Sequence, residues 1–91
     1  MNSDPKLNAE QICFGAAHRI RGFLHPRESC DLSKDESGGY FVFRFTARDR
    51  DGAQEVGRLT VLGAMIEDSI ISERQLHAHL WQELGQIRGV L

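Results

Sequence analysis

The chain lacks the sequence features that mark membrane-spanning and secreted proteins. No run of about 18 apolar residues occurs, so nothing in the sequence predicts a membrane-spanning helix. The N-terminal segment MNSDPKLNAEQ has no charged start followed by an apolar run, which a signal peptide requires. Cysteine is scarce as well, because Cys13 and Cys30 alone do not make a disulfide framework. We therefore expect a cytoplasmic protein without a membrane partner.

An excess of positive charge is also absent, since the formal net charge is -2. This balance argues against a strongly basic nucleic-acid-binding protein, although it leaves room for a local basic patch. Lysine is rare, with two residues against nine arginines. Arginine presents a planar fork of donors that suits carboxylates, phosphates and aromatic rings. The codon bias of a GC-rich genome also produces an excess of arginine over lysine. The excess alone therefore assigns no function.

The overall composition is typical of a single folded domain. With 91 residues, of which 41% are hydrophobic and 26% charged, the chain fits a single domain over residues 1–91 and not a disordered protein. Residues 1–7 predict a flexible N-terminus. The sequence contains no internal repeat, no linker and no low-complexity segment.

A first helix is indicated by apolar residues that recur at helical spacing from Ala9 onward. Asn8 and Gln11 have the spacing of a capping box, which satisfies the free N–H groups at a helix start. Because the residue before a proline avoids the helical region, we expect His25-Pro26 to end this helix. The predicted span is therefore residues 8–24.

A second helix begins at Ser72, where Gln75 repeats the capping-box spacing. Its core face is formed by apolar residues at helical spacing: Leu76, Leu80, Leu84, Ile87 and Leu91. The preceding residues 63–71 are ambiguous, because they can form one short helical turn or a third short strand.

Between the helices lies the pattern of a β-hairpin. Residues 40–48, YFVFRFTAR, alternate apolar and polar side chains, and the Asp-Gly pair that follows supplies a tight turn. A second strand is predicted over residues 54–62. The register that brings the large apolar side chains together sets Phe45 opposite Leu59.

This order of elements predicts an α+β fold of the helix–β-hairpin–helix type. The expected domain has two layers, with both helices on one face of an antiparallel sheet. The polar, turn-forming residues 25–39 predict a long loop. A hairpin alone is marginally stable and exposes both of its edges, so we expect the sheet to be extended. The extension can come from residues 64–71, from part of the 25–39 loop, or from the same strand of a second copy, which predicts a homodimer.

None of the motifs that carry catalysis or metal binding is complete. His77 and His79 form an HxH pair, but on a helix their rings point about 200° apart and cannot reach one ion. Cys30 lies in the predicted loop between acidic neighbours, which raise the pKa of a thiol and make it a poor nucleophile. We expect no metal, no cofactor and no enzymatic activity. A role in catalysis would have to use His18, His25 or His77.

The hairpin also places arginines on the side opposite the phenylalanines. We predict that five residues of this side and the turn bind a partner: Tyr40, Arg44, Arg48, Arg50 and Arg58. Arginine and tyrosine are enriched at protein interfaces, although an ordinary solvent-exposed sheet face carries the same residue types. The sequence therefore predicts a small non-catalytic protein-binding module, which is an accessory, regulatory or inhibitor protein.

A nucleic-acid-binding module is the alternative use of this face. Further basic residues would then contribute: Arg19, Arg21 and Arg27. Only Tyr40 offers a ring on which a base can stack, and Glu55 and Asp49 dilute the positive charge. A protein partner therefore ranks above nucleic acid.

Overall fold

A computed structural model describes residues 8–35, 37, 39–68 and 70–90 of the chain, with only the backbone described at Val90. The elements are α1 (Ala9–Arg21), β1 (Glu28–Asp35), β2 (Tyr40–Asp49), β3 (Gly52–Leu62), α2 (Gly63–Glu67) and α3 (Glu73–Val90). The strands form one antiparallel sheet in the order β1-β2-β3. Both long helices pack on one face of this sheet, which confirms the predicted two-layer α+β fold.

The capping boxes predicted for the two long helices are both present. At the start of α1, the Asn8 side chain accepts from the Gln11 N–H at 2.8 Å, and the Gln11 side chain accepts from the Asn8 N–H at 3.3 Å. At the start of α3, Ser72 and Gln75 exchange the same two bonds at 2.9 and 3.1 Å. These local bonds satisfy N–H groups that have no partner within the helix.

Helix α1 ends earlier than predicted, at Arg21 rather than at residue 24. From Gly22 to Leu24 each backbone N–H donates to the carbonyl three residues before it, as in a tighter helical turn. The chain therefore leaves the α-helical path before it reaches His25-Pro26. The ambiguous segment before α3 contains α2, so its first part is a short helix and not a strand.

The prediction of a loop over residues 25–39 is wrong, because this segment contains β1. The sequence pattern predicts this strand only weakly, because Cys30 and Leu32 are its only apolar residues. They lie opposite Phe45 and Phe43 of β2 and pack on the helix side of the sheet. One of the three expected ways to extend the hairpin is therefore realised within the chain. The predicted flexible terminus, residues 1–7, lies outside the described residues.

The register of the hairpin differs from the prediction by two residues. Phe45 lies opposite Gly57 rather than opposite Leu59. Two features cause the shift: a two-residue loop closed by the Asp49–Gly52 pair, and a β-bulge in β3 at Val56. Because the shift is an even number between Gly57 and Leu62, these side chains stay on their predicted faces, whereas beyond the bulge it is an odd number and Glu55 changes face.

The core lies between the sheet and the two long helices. Phe41, Phe43 and Phe45 are at most 4% exposed and form its floor. The helices cover them with small and aliphatic side chains: Ala9, Cys13, Ala16, Ala17 and Ile20 from α1, and Leu76, Leu80, Leu84 and Ile87 from α3. Within the described ranges, no helix combines the length and the apolar composition needed to cross a membrane.

Candidate partner-binding face

The face of the sheet opposite the helices is open, and we call it the arginine face. On β2 its side chains are Tyr40, Val42, Arg44, Thr46 and Arg48. The neighbouring strands add Ser29, Asp31 and Ser33 on one side, and Arg58, Thr60 and Leu62 on the other. Among the described residues, no helix or loop covers this face. It can therefore be reached by another molecule.

A shared carboxylate holds the two central arginines of this face. Arg44 lies opposite Arg58, not opposite Thr60 as the predicted register required. The Arg44 Nε lies 2.8 Å from Glu55 Oε1, and the Arg58 Nη2 donates to the same oxygen at 2.9 Å. The bond from Arg58 holds the pKa of the Glu55 carboxyl below its usual value, and it raises the pKa of Arg58.

Sequence reasoning missed the role of Glu55, which it treated only as a charge that dilutes the arginines. In a regular strand, residues three apart point to opposite faces of the sheet. The bulge at Val56 inserts an extra residue between Glu55 and Arg58 and brings both side chains to the same face. At the centre of the arginine face, two arginines therefore share one carboxylate, which reduces their positive charge.

The two ends of the arginine face differ in character. At one end Tyr40 is 42% exposed and lies opposite Leu62, beside Val42. At the other end Arg48 is exposed and Arg50 lies in the turn. Tyr40 and Arg48 are separated by about 26 Å along the strand. The five predicted partner-binding residues therefore form a central pair and two distant ends, not one cluster.

Arg27, Arg48 and Arg50, which we call the hairpin-end arginines, differ from the central pair. Among the described residues, no carboxylate pairs with any of their guanidinium groups. The backbone brings two of them together, since the Arg48 N–H donates to the Arg27 carbonyl at 2.8 Å. Three arginines without an ion-pair partner among the described residues thus lie at this end of the sheet, next to two aspartates of the turn, Asp49 and Asp51, that are not in an ion pair either.

Arg19, Arg21 and Arg88 have partners within the fold. The Arg19 guanidinium lies 3.9 Å from Glu73, and the Arg21 Nε donates to the Cys30 carbonyl at 2.8 Å. Arg88 is paired with Glu28, with 2.9 Å between Nη2 and Oε1. Of the two basic residues of α1 that a nucleic-acid-binding face would use, Arg21 is therefore fixed to β1, whereas Arg19 makes only a long, exposed ion pair.

An ion pair between Glu28 and Arg88 joins the start of β1 to the end of α3. The Arg88 Nη2 donates to Glu28 Oε1 at 2.9 Å and to the Phe23 carbonyl at 2.8 Å. The Glu28 side chain is 10% exposed and also accepts from the His25 N–H. The bond from Arg88 lowers the pKa of Glu28, while burial opposes this shift. No local pattern signals this pair, because 60 residues separate its members.

Both thiols are buried in the core, which corrects the placement of Cys30 in a polar loop. Cys30 is 2% exposed on the inner side of β1. Burial is the main cause that raises the pKa of Cys30 to about 11, with Asp31 adding to the shift and Arg21 opposing it. Burial also raises the pKa of Cys13 to about 12. Neither thiol is poised to act as a nucleophile.

His77 and His79 both lie in α3, so the helical geometry that separates their rings is confirmed. His77 Nε2 accepts a bond from the Trp81 Nε1–H at 3.0 Å, and the Trp81 ring packs on Phe23 with centroids 4.7 Å apart. No group of three His, Cys, Asp or Glu residues within the described ranges could hold a metal ion. His77 thus has a packing role beside α1.

A cleft of about 450 Å³ opens at the hairpin end, and we call it the hairpin-end cleft. It is lined by His25, Pro26, Arg27, Glu28, Ala47, Arg48, Asp49, Gln54 and Val56. A smaller concavity of about 140 Å³ shares Arg27 and Arg48 with it. Arg27 and Arg48 therefore line both the cleft and the smaller concavity.

Comparisons with family models, with curated proteins and with solved structures find no match for this chain. A functional inference must therefore rest on the geometry and chemistry of the arginine face, the hairpin-end arginines and the hairpin-end cleft.

Proposed function

We propose that the protein is a small non-catalytic protein-binding module that acts through the arginine face. It would serve as an accessory, regulatory or inhibitor protein, and we place it in the cytoplasm. The observation that carries the proposal is the open sheet face on which Glu55 orders Arg44 and Arg58 between two chemically distinct ends. Ordered arginines lose less side-chain entropy when a partner binds, which favours association.

The mixture of side chains on this face supports a protein partner. Arginine and tyrosine are the residues most often found at the energetic centre of protein interfaces. Acidic side chains lie among the arginines, because Glu55 sits between Arg44 and Arg58 and Asp31 lies opposite Arg44. A phosphate backbone needs a continuous basic track, and these carboxylates interrupt one. The fitting partner is a protein with acidic groups for the hairpin-end arginines and an apolar patch for Tyr40 and Leu62.

Charge reversal at the hairpin end tests this proposal. The variant Arg48→Glu/Arg50→Glu changes two exposed side chains that have no ion-pair partner among the described residues, so the fold should persist. A control for charge reversal elsewhere on the surface is Arg74→Glu, which changes an exposed arginine on α3. We expect affinity capture from source-cell lysate to yield a protein that binds the wild type and the control but not the double variant.

Two results of this capture experiment would contradict the proposal. One is a partner that binds the double variant as well as it binds the wild type. The other is a partner that is lost equally with Arg74→Glu, because that loss would reflect net charge and not the arginine face. Circular dichroism of each variant checks that the fold is intact.

The alternative is a nucleic-acid-binding module, and the hairpin-end arginines are the observation that favours it. The nucleic-acid alternative is less well supported by α1, because Arg19 pairs with Glu73 and Arg21 donates to the Cys30 carbonyl. A gel shift at low salt tests it, because phosphate contacts by arginine give affinity that falls steeply as salt rises. A salt-sensitive complex that Arg48→Glu/Arg50→Glu abolishes would favour nucleic acid over protein.

Homodimer formation remains part of the proposal, but its physical basis changes. The hairpin obtains a third strand from β1, so it does not need a second copy for that purpose. Among the described residues the outer edge of β3 has no strand partner. This strand contains neither lysine nor proline, and its residues 57–62, beyond the bulge at Val56, pair regularly with β2. We therefore propose that two copies pair along β3.

A further inference from the structure

Two arginines lie opposite each other on the open side of the sheet, close to the hairpin turn. The Arg48 N–H donates to the Arg27 carbonyl at 2.8 Å, which continues the pairing of β1 with β2 by one residue. Arg48 shares its face of β2 with Arg44 and Thr46, and the register places Arg27 on the same face. Like charges directly opposite each other on a sheet repel, which destabilises the pairing.

The centre of the arginine face contains a second pair of opposed arginines, and there the chain supplies an anion. Arg44 lies opposite Arg58, and one oxygen of Glu55 lies 2.8 Å from the Arg44 Nε and 2.9 Å from the Arg58 Nη2. Among the described residues, no carboxylate bridges Arg27 and Arg48 in this way. An anion from another molecule would relieve the repulsion at the hairpin end, as Glu55 does at the centre.

The smaller concavity of about 140 Å³ is lined by both of these arginines, and we call it the open-face concavity. Ser29 and Thr46 lie opposite each other on the same face and also line it, and their hydroxyl groups are hydrogen-bonded to each other. One hydroxyl donates in this bond, so the hydrogen of the other is free to donate to a ligand. The volume corresponds to about four or five water molecules, which suits a small charged group and not a drug-sized molecule.

The carboxylates nearby do not occupy the open-face concavity. Glu28 contributes to its lining, but the Glu28 carboxylate is held by the ion pair with α3. Asp49 lies on the helix side of β2, and neither Asp49 nor Asp51 lines the concavity. Asp31 is on the open face, but it lies opposite Arg44 and does not line the concavity either. These aspartates lower the net charge of the region without bridging the two arginines.

We propose that the open-face concavity binds a phosphate monoester. At neutral pH this group carries a charge of about −1.5 to −2, which balances two guanidinium groups, whereas a carboxylate balances only one. Two of its terminal oxygens accept from Arg27 and Arg48, and the third accepts from the free hydroxyl of Ser29 or Thr46.

This site goes beyond the proposed protein-binding function, because it needs Arg27 and the two hydroxyl groups and requires no protein partner. It shares only Arg48 with the five predicted partner-binding residues. The phosphate monoester can belong to a small phosphorylated metabolite or to a phosphoserine side chain of a protein, since both present the same group.

Titration of the ¹⁵N-labelled protein with phenyl phosphate at neutral pH tests the proposal. Two matched probes share the phenyl ring: benzoate and the singly charged diester methyl phenyl phosphate. We expect phenyl phosphate to shift the backbone amides of residues 27–29 and 46–48 and the side-chain Nε–H signals of Arg27 and Arg48. Its affinity should exceed that of either matched probe by about tenfold, because it adds a second charge and a third terminal oxygen.

Substitutions separate this site from the general charge of the hairpin end. Arg27→Gln should weaken phenyl phosphate binding about tenfold, because a charge-assisted hydrogen bond is lost. The matched control Arg50→Gln removes the same charge from a turn residue that does not line the concavity, so the affinity should change by about twofold or less. Ser29→Ala/Thr46→Val should weaken phenyl phosphate binding about threefold and leave benzoate binding unchanged, since only the phosphate uses the hydroxyl.

Two further probes distinguish the sources of the phosphate group. They are glycerol phosphate and a tripeptide that has phosphoserine between two alanines. Tighter binding of the tripeptide assigns the site to a phosphorylated protein, and tighter binding of glycerol phosphate assigns it to a small metabolite. None of these titrations needs the captured partner, so failure of the capture experiment leaves their results unaffected.

Three results would overturn the proposal. The first is the absence of shifts around the open-face concavity with phenyl phosphate. The second is equal affinity of the wild type for phenyl phosphate and either matched probe, and equality with the diester would favour a nucleic-acid backbone. The third is an equal loss of affinity in Arg27→Gln and Arg50→Gln, because that loss would reflect net charge. The amide spectrum of each variant checks that its fold is intact.

Discussion

At the scale of single residues, the partner of each arginine decides its role. Arg44 and Arg58 share Glu55, whereas Arg88 binds Glu28 and the Phe23 carbonyl. The hairpin-end arginines have no such carboxylate among the described residues. The same residue type therefore shares a surface carboxylate, fastens two elements together, or carries a charge that no described carboxylate pairs with. An excess of arginine in the composition does not distinguish these three roles.

Gly57 is a residue at which one added carbon atom should disturb the packing. A Cβ at this position would lie 2.6 Å from Ile87 Cδ1 and 2.8 Å from Glu83 Oε2, so α3 approaches β3 closely here. Because the close atoms belong to side chains that can move, we expect Gly57→Ala to destabilise the protein by about 1 kcal/mol, at the low end of the usual effect of overpacking. Urea denaturation followed by circular dichroism measures this change.

Gly85→Ala is the matched control for this prediction. Gly85 is exposed within α3, and no atom lies within 4 Å of the position of an added Cβ. Alanine has the higher helix propensity, so this substitution should stabilise the protein by about 0.5–1 kcal/mol. Equal effects of the two substitutions would contradict the close packing of α3 on Gly57.

At the scale of elements, the Glu28–Arg88 pair fastens the last helix to the first strand. Arg88 belongs to α3 and Glu28 to β1, while the Phe23 carbonyl and the His25 N–H belong to the segment between α1 and β1. One ion pair thus links three parts of the chain at the hairpin end. It also holds one wall of the hairpin-end cleft in place.

The stability provided by this pair should depend on pH. Folding lowers the pKa of Glu28, so the unfolded chain binds the proton more readily than the folded chain does. The contribution is therefore complete above the pKa of an unfolded glutamate and decreases as pH falls toward the lower folded value. We expect Glu28→Gln to destabilise the protein by about 1–2 kcal/mol at neutral pH and by less in acid. Denaturant midpoints at both pH values measure the difference.

The control for the pH prediction is Glu55→Gln. Its pKa is also lowered by an arginine, but the pair is exposed to solvent on the arginine face. Exposed pairs contribute little to stability, so this variant should unfold close to the wild type at both pH values. A Glu28→Gln effect that stays constant from neutral to acid pH would show that charge is not its source.

At the scale of the whole molecule, the sheet has one covered face, one open face and two edges. The helices bury the phenylalanine side, and β1 completes the sheet beyond the hairpin. The outer edge of β3 and the arginine face are different surfaces of the same molecule. Self-association along the edge would therefore leave the arginine face free for another protein.

Light scattering tests this arrangement in solution. We expect the wild type to have twice the 10.3 kDa chain mass. Because main-chain pairing along β3 does not use the hairpin-end side chains, Arg48→Glu/Arg50→Glu should keep the same mass. A monomeric wild type would contradict edge pairing. A dimer that dissociates in the double variant would mean that the arginines themselves contact the second copy.

Features that depend on near neighbours could be predicted from the amino-acid sequence. Asn8 and Ser72 cap the helices through residues three positions away, and the alternation of Phe41, Phe43 and Phe45 sets the two faces of β2. Period and spacing are local properties of the chain, so they can be recognised without a fold.

Contacts between distant residues could not be predicted in this way, because they depend on how the elements pack. Strand β1 offers two apolar residues, and its β-structure comes from pairing with β2. The bulge at Val56 places Glu55 between two arginines, and Arg88 reaches Glu28 across 60 residues. Register, bulges and long-range ion pairs follow from the packing of whole elements, because each depends on partners that the local sequence does not specify. The candidate site was therefore predictable in its residue types, but not in its charge balance or its cleft.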